Sequence, residues 1–506
     1  MKHIKSYGTV IVIFVTAFIF SFYSVVDAKS EIVLEEEAML FRQPLDLKYR
    51  LYFKSLKVSP DGRRFACVAA KEKEFCVVVD DKKGINNYDA IGTDSPIFSP
   101  DSQHVAYKAK KDEKWLMIID EREHKKYKAI TKPQFSYDSN RLAYIANDEA
   151  GKSFIVLDGK KGNSFDAIEN KFGPLFSPDS KHLAYIVENN KKQAVVLDGK
   201  EGKWYEKIFY IVFSYDSAHL AYIAKREGKC FVVVDGKEHK HYDDTHLPVF
   251  SYDSSRIAYP AMSDGEWFMV LGGKEGPRYD GVNAPMFSLN SQSFTYFVKK
   301  GDRVSAVVDG NEISGRYDTF GFAAYSPDSS RLAYTAKKGD DWFVIIDGKK
   351  EGSYKAASLP VFSKDSSHVT YVANKKGRIM TVTDGKKGKG YDHITYPEFS
   401  PDSEHLAYMA LENEKWMIVI DGKEGQKYNL VTPPVFSPDS KHFAYMAMKG
   451  RGTWIPVVDY TEGEWSMNGI VKGASIQFDS PNRFHVLGVR MPGPEFMMLD
   501  VNIQSD

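Results

Sequence analysis

Short apolar runs alternate with short polar turns along almost the whole chain, and no long stretch repeats apolar residues at helical spacing. The unit around Asp402 shows the pattern. Residues 396–400 read as a first strand. Pro401-Asp402-Ser403 reads as a turn, with proline presetting φ and the aspartate able to bond its own backbone. Residues 405–410 read as a second strand, and Glu412-Asn413-Glu414 as a polar turn. Residues 416–420 read as a third strand, rich in β-branched and aromatic residues. Asp421-Gly422-Lys423 is a hairpin turn, and residues 427–430 form a shorter fourth strand.

This unit recurs. The aspartate of the Phe-Ser-Pro-Asp-Ser phrase, or of a variant, stands at 61, 101, 138, 179, 216, 253, 328, 365, 402, 439 and 479, and Asn290 fills the gap. Successive spacings run from 37 to 41 residues, which gives twelve units. Four antiparallel strands in a period near 40 make one propeller blade. The third strands, such as Phe231-Val232-Val233-Val234, are nearly continuous apolar runs. Strands covered on both faces read this way, and a blade is packed between two neighbours. The expected fold is therefore an all-β propeller of about twelve four-stranded blades.

Ser-Pro-Asp-Ser, then Leu-Ala-Tyr, then Asp-Gly-Lys resembles the WD40-like (PD40) repeat of TolB-type propellers over roughly residues 51–502. Similar blades occur in the tricorn protease and in prolyl-oligopeptidase-like enzymes. The resemblance implies a propeller and is nearly silent on function. Two departures accompany it. Only about 20 residues separate the apolar N-terminal segment, residues 1–28, from the first unit, too few for the α/β domain that TolB-like proteins carry before their propeller. No hydrolase domain follows the last unit, and no Gly-x-Ser-x-Gly elbow is present.

Rings usually hold four to eight blades, which favours two six-bladed rings, residues 47–278 and 279–502, over one large ring. The pattern frays where such a boundary would fall: Gly272-Gly273 replaces Asp-Gly, Pro277 follows, and Leu289-Asn290-Ser291 replaces Pro-Asp-Ser. No additional linker residues occur there. The last unit supplies only three strands, and residues 47–53 resemble the missing fourth, so an N-terminal strand is expected to complete a C-terminal blade and hide its edge.

The N-terminus adds an address. Lys2 and Lys5 precede an uncharged apolar run over residues 9–26, and Val26-Asp27-Ala28 fits a cleavage site. Residues 1–28 are expected to be a signal peptide and residues 29–46 a short extension. An uncleaved anchor is the alternative, and only then would the chain be membrane-attached. The expected location is periplasmic or secreted. With three cysteines, no disulfide framework holds the fold. Cys67 and Cys76 flank a tight turn, where a disulfide or two unpaired buried thiols would both fit, and Cys230 reads as a small core residue.

Composition removes function classes. The 68 Lys+Arg against 68 Asp+Glu leave no basic surplus for nucleic acid, and 14% aromatic residues argue against a disordered acidic chain. The residue three after the motif aspartate is His at 104, 182, 219, 368, 405 and 442, and Arg at 64, 141, 256 and 331. One such residue per blade cannot gather round a metal ion, so a repeated structural hydrogen bond to the turn aspartate is expected, with easier protonation of the histidines. The histidine cluster of residues 239–246, with His239, His241 and His246, reads as a solvated edge, with adventitious metal binding as the alternative, and the aspartates before glycine lack calcium-loop spacing and mark a turn. No catalytic, cofactor-binding or metal-ligating residue is assigned.

Trp115, Trp267, Trp342, Trp416 and Trp454 share one position, the start of the third strand, beside charged turns such as Gly339-Asp340-Asp341. Those turns vary between units, whereas the Ser-Pro-Asp-Ser and Asp-Gly-Lys turns repeat. Variable loops on a rigid scaffold are where recognition is built, and aromatic residues edged by charge suit interfaces. The five tryptophans are the candidate binding residues. They would otherwise cap packing between blades. The expected function is an exported non-enzymatic scaffold for a protein or cell-envelope partner. A carbohydrate-binding protein or an enzyme with a site in the central channel is the alternative. The unusual channel strands, Phe209-Tyr210-Ile211-Val212 and Phe320-Gly321-Phe322-Ala323, are apolar or aromatic, which favours binding.

Overall fold

The turn residues do what their chemistry dictates. The structure is a computed structural model that describes residues 10–11, 25–26, 32–41, 49–80, 82–171, 173–450, 452–491 and 495–505. Most of the segment read as a signal peptide lies outside these residues. Within blade 10, His393–Phe399, Leu406–Glu412, Lys415–Ile420 and Lys423–Glu424 pair antiparallel in chain order. Asp421 and Gly422 both take positive φ (50° and 81°), the geometry of a tight hairpin turn between the third and fourth strands. Twelve such sheets form, and no helix occurs among the described residues.

In most blades the innermost strand is split. Asp244–Thr245 and Val249–Phe250, for example, pair with opposite ends of Ile257–Ser263. A proline (Pro248, Pro285, Pro360) commonly interrupts it, as a residue without an N–H must on a strand that lines the channel.

Two sets of contacts join each blade to the next. At the motif turn, the serine takes positive φ (61–73°) and its buried Oγ accepts the backbone N–H of the preceding blade's motif residue. This link repeats ten times in succession, from Asp61–Ser102 to Asp402–Ser440, at 2.8–3.1 Å. On the outer strand, Tyr205, Tyr242, Tyr391 and Tyr428 donate to Glu238, Glu275, Glu424 and Glu462 of the following blade at 2.8–3.2 Å. Between these links lie the apolar clusters. In one of them Ala258 and Met269 of blade 6 pack with Tyr296 and Val307 of blade 7.

These contacts settle the ring count: there is one ring of twelve blades, not two of six. The motif links run without a break through Asp253–Ser291 and Asn290–Ser329, across the expected boundary. Closure joins blade 12 to blade 1. His485 Nε2 lies 2.9 Å from the Asp61 carbonyl, Arg63 pairs with Asp479 at 2.6 Å, and Leu487 and Met498 share a cluster with Cys67 and Val78. The frayed residues near 280 are substitutions within an unbroken period, and without extra linker the chain passes straight to its neighbour.

Closure by an N-terminal strand also holds, but with a different segment. Residues 50–53 belong to Arg50–Val58, the innermost strand of blade 1. The closing strand is Ile32–Phe41. It pairs along its whole length with Glu495–Ser505 and becomes the outer strand of blade 12. There Glu36 accepts the backbone N–H groups of Glu464 and Trp465 in blade 11, at 3.0 and 2.9 Å. Burial raises its carboxyl above the usual carboxylate range.

The basic residue after the motif turn bonds the aspartate of the hairpin turn and not the motif aspartate. Each histidine Nδ1 meets the aspartate of the later third-to-fourth-strand turn, as in His405–Asp421 and His442–Asp459, both at 2.7 Å. Arg64, Arg141 and Arg331 reach the equivalent Asp80, Asp158 and Asp347. The aspartate's other oxygen accepts the next backbone N–H, Leu406 in blade 10. One carboxylate thus ties two strands together, which explains why Asp precedes Gly in unit after unit. The motif aspartate is occupied by its own turn: Asp402 accepts from Ser400 Oγ and the Glu404 N–H. Cys67, Cys76 and Cys230 are free and buried, and burial pushes the first two thiols up to about 12 and about 11.

Candidate binding pocket on the variable face

The second strand of each blade ends at the turn into the third, and that end pairs with the start of the first strand. Gly281 lies opposite Lys299 in blade 7. The variable turns and the leads into the first strands therefore share one face, opposite the motif turns. On this face an aspartate holds the turn in place: Asp243, Asp280, Asp318 and Asp392 accept the N–H of Asp264, Gly301, Gly339 and Asn413 at 2.6–2.9 Å.

Each candidate tryptophan begins its third strand and bridges to the outer strand, Trp267 to Tyr279 and Trp416 to Tyr428. All five are partly buried. Because they belong to blades 2, 6, 8, 10 and 11, the ring does not bring them into one cluster. Trp115, Trp416 and Trp454 pack on the apolar clusters between blades. Trp267 packs likewise but also faces open space. Trp342 lies over Gly321, where a Cβ would meet its ring at 3.1 Å and the Thr335 hydroxyl at 2.3 Å.

Trp267 lines a cavity of about 450 Å³ spanning blades 6, 7 and 8, within the size range of small-ligand sites. His246, Asn283, Phe297, Lys299, Val304 and Phe320 line it as well. The blades concerned explain its origin. Val304 stands where blades 6 and 8 carry Trp267 and Trp342, since Val304 bridges Tyr317 as Trp342 bridges Tyr354. A valine where its neighbours have an indole leaves the cavity.

Two aromatic substitutions wall it. Phe297 replaces the Ile145 or Ile223 of other blades, and Phe320 replaces Ile208 or Ile394. The two rings stack with centroids 4.4 Å apart. His246 lies 4.4 Å from the Trp267 ring, centroid to centroid.

The polar rim also departs from the repeat. At the position of His246 and Asn283, other blades carry Thr131, Ser358 and Thr432, whose hydroxyls accept backbone N–H groups at 3.0–3.1 Å. Pro260 in blade 6 has no N–H to offer, and His246 is left exposed. Asn283 is exposed, and its backbone N–H bonds the Phe297 carbonyl, which leaves the amide side chain on the rim. Asp318 and Lys299 place one charge of each sign on the wall.

The sequence pattern had pointed to Trp267 and Trp342. It did not single out Val304 or Asn283, and it named His246 only as the end of the histidine cluster that starts at His239. The histidines of residues 239–241 separate: His239 bonds the Tyr259 hydroxyl at 3.1 Å, and His241 stacks on Phe231 at 4.0 Å.

No known protein-family profile matches the chain, and no curated protein sequence does either. Solved structures with local similarity include a eukaryotic initiation factor, at 14% identity over 65% of this chain and 96% of that one, with a TM-score of 0.34. The Dos1 propeller is 12% identical over 54% of this chain and 87% of its own, at 0.27. The propeller domain of the trilobed protease from Pyrococcus furiosus is 12% identical over 51% and 94%, at 0.25. Likeness at this level carries nothing about partners or chemistry.

Proposed function

We propose that the chain is an exported, non-enzymatic propeller scaffold of the WD40-like, TolB-like kind, which binds a protein or cell-envelope partner through its variable face. A propeller suits a scaffold or binding role in general. The observation behind this choice of face is its asymmetry. The motif face spends its serines, aspartates, histidines and arginines on links within and between blades, as at Asp402–Ser440 and His405–Asp421. The opposite face varies from blade to blade and carries the open cavity with Trp267. Export rests on the apolar run and the Val-Asp-Ala site of the sequence, with membrane attachment only if that segment is retained.

Affinity capture from the envelope fraction of the source cell tests the reading. A partner should be retained by the wild-type protein. It should be lost on replacing Asp340, Asp341, Glu412 and Glu414 with serine, and kept on replacing Lys237 and Lys423 of the motif face. Capture insensitive to the first set, or recovery of no partner, would overturn it. N-terminal sequencing of the mature protein should begin at residue 29.

A further inference from the structure

We propose that the cavity between blades 6, 7 and 8 binds one neutral hexopyranose residue of a glycan. The site is blade-specific. It exists because Val304 stands between two blades that carry a tryptophan at its position, and because Phe297 and Phe320 replace aliphatic residues around the gap. A small residue at this position would by itself leave a dent lined by the ordinary aliphatic repeat. Here the exposed surfaces are instead flat rings, Trp267 on one wall and Phe320, backed by Phe297, on another.

A pyranose has a face of weakly positive C–H groups that packs against the negative face of an aromatic ring. Its hydroxyls each donate and accept, so the rim must do both. The Asn283 amide offers a carbonyl and an NH₂, and a neutral His246 offers one nitrogen of each kind. Both stand where other blades use a hydroxyl to satisfy backbone. The wall carries Lys299 against Asp318, and Asp318 already accepts the Gly339 N–H at 2.6 Å. Opposed single charges give no preference for an anion or a cation, which fits a neutral ligand. An aromatic side chain of a protein would fill the apolar part but leave the amide and imidazole unused. The assignment goes beyond the scaffold reading and does not depend on it: free sugars test the one, envelope capture the other.

The test is saturation-transfer NMR of the purified protein with the methyl glycosides of glucose, galactose, mannose and N-acetylglucosamine, each at several millimolar. At least one should receive saturation and bind with a Kd of order 1 mM, typical of a single sugar on a small open site. Trp267→Ala should weaken it at least tenfold, Asn283→Ala about threefold to fivefold, and Trp115→Ala not at all. Val304→Trp restores the residue of blades 6 and 8, so the fold should tolerate it; an unchanged thermal midpoint will confirm this, and binding should vanish. The exposed Asn283→Ala gives a second readout that leaves the core intact. No transfer to any of the four glycosides would overturn the proposal, as would transfer that survives Val304→Trp. Binding of N-acetyltryptophanamide alone would give the cavity to a protein side chain.

Discussion

Blades 10 and 7 have the same four strands and nearly the same length, yet they use their residues differently. Blade 10 has every link. Ser400 and Asp402 close its motif turn, His405 and Leu406 share Asp421, and Trp416 fills the start of the third strand. Blade 7 keeps its motif turn and the links to its neighbours with altered residues: Asn290 replaces the aspartate and still accepts from Ser288 at 2.8 Å, while Ser293 replaces the basic residue and leaves Asp309 to the Phe294 N–H. On the other face it drops the tryptophan for Val304 and opens. The difference teaches that the two ends of a blade obey separate constraints. Assembly of the ring fixes one end, because a change there strands a neighbour's N–H. The other end is free to differ, because its turn is held by an aspartate of its own blade.

That contrast is broken hardest where the links stop. No serine–aspartate link joins blade 11 to 12 or 12 to 1 among the described residues; the strand Ile32–Phe41 ties blade 12 to blade 11, and His485, Gln477 and Arg63 tie blade 12 to blade 1. Removing residues 32–41 leaves Glu495–Ser505 as a bare edge beside blade 11 and uncaps Glu464 and Trp465. The expected result is a fall of more than about 10 °C in thermal midpoint, with association on size-exclusion chromatography. A monodisperse protein with an unchanged midpoint would show that the ring closes without that strand.

Next in size is the single link. Ser403→Ala removes the buried hydroxyl that accepts the Asp365 N–H and should cost about 1 kcal/mol in urea unfolding, read from the midpoint at constant slope. The exposed turn residue Glu414→Ala on the other face should change stability by less than about 0.5 kcal/mol. Equal effects at the two sites would remove the distinction between the faces.

The motif end was legible in the sequence because its constraint is local and repeated: twelve copies of one turn, each with the residue its φ requires. The neighbour of each blade was harder to read. Whether blade 6 meets blade 7 or returns to blade 1 depends on pairings between residues hundreds of positions apart, such as His485 with Asp61. The closing strand was hidden for another reason. Glu35-Glu36-Glu37 looks solvent-facing, and only the backbone of blade 11 gives Glu36 its partners. The cavity does not show in the sequence, because Val304 is one of several residues other than tryptophan at its position; its walls come from three blades, and their register had to be known before Phe320 and Asn283 could be placed beside Val304.

A gain of stability is expected where blade 6 departs from blade 10. Gly272 holds the place of Asp421 with φ of 55°, a value at which the aspartates of other blades sit. Gly272→Asp would supply an acceptor for the Ile257 N–H and a partner for Arg256, which now reaches the Ser291 carbonyl. Stabilisation of about 0.5–1.5 kcal/mol is expected from the urea midpoint. A loss would mean that blade 6 has repacked around the missing carboxylate.

The smallest effect separates His442 from its exposed counterparts. Its side chain is only 10% exposed, and the hydrogen bond to Asp459 raises its pKa above the ordinary histidine value. A raised folded-state pKa means that the charged form favours the folded chain. That contribution is fully present below the unfolded histidine pKa, near 6.5, and is lost as pH rises through the higher folded value. His442→Asn should therefore lower the thermal midpoint more at pH 5.5 than at pH 8.5, by about 1–2 °C of difference. A loss that is the same at both pH values would mean that the charge on His442 adds nothing to the ring beyond the hydrogen bond that it makes in its neutral form.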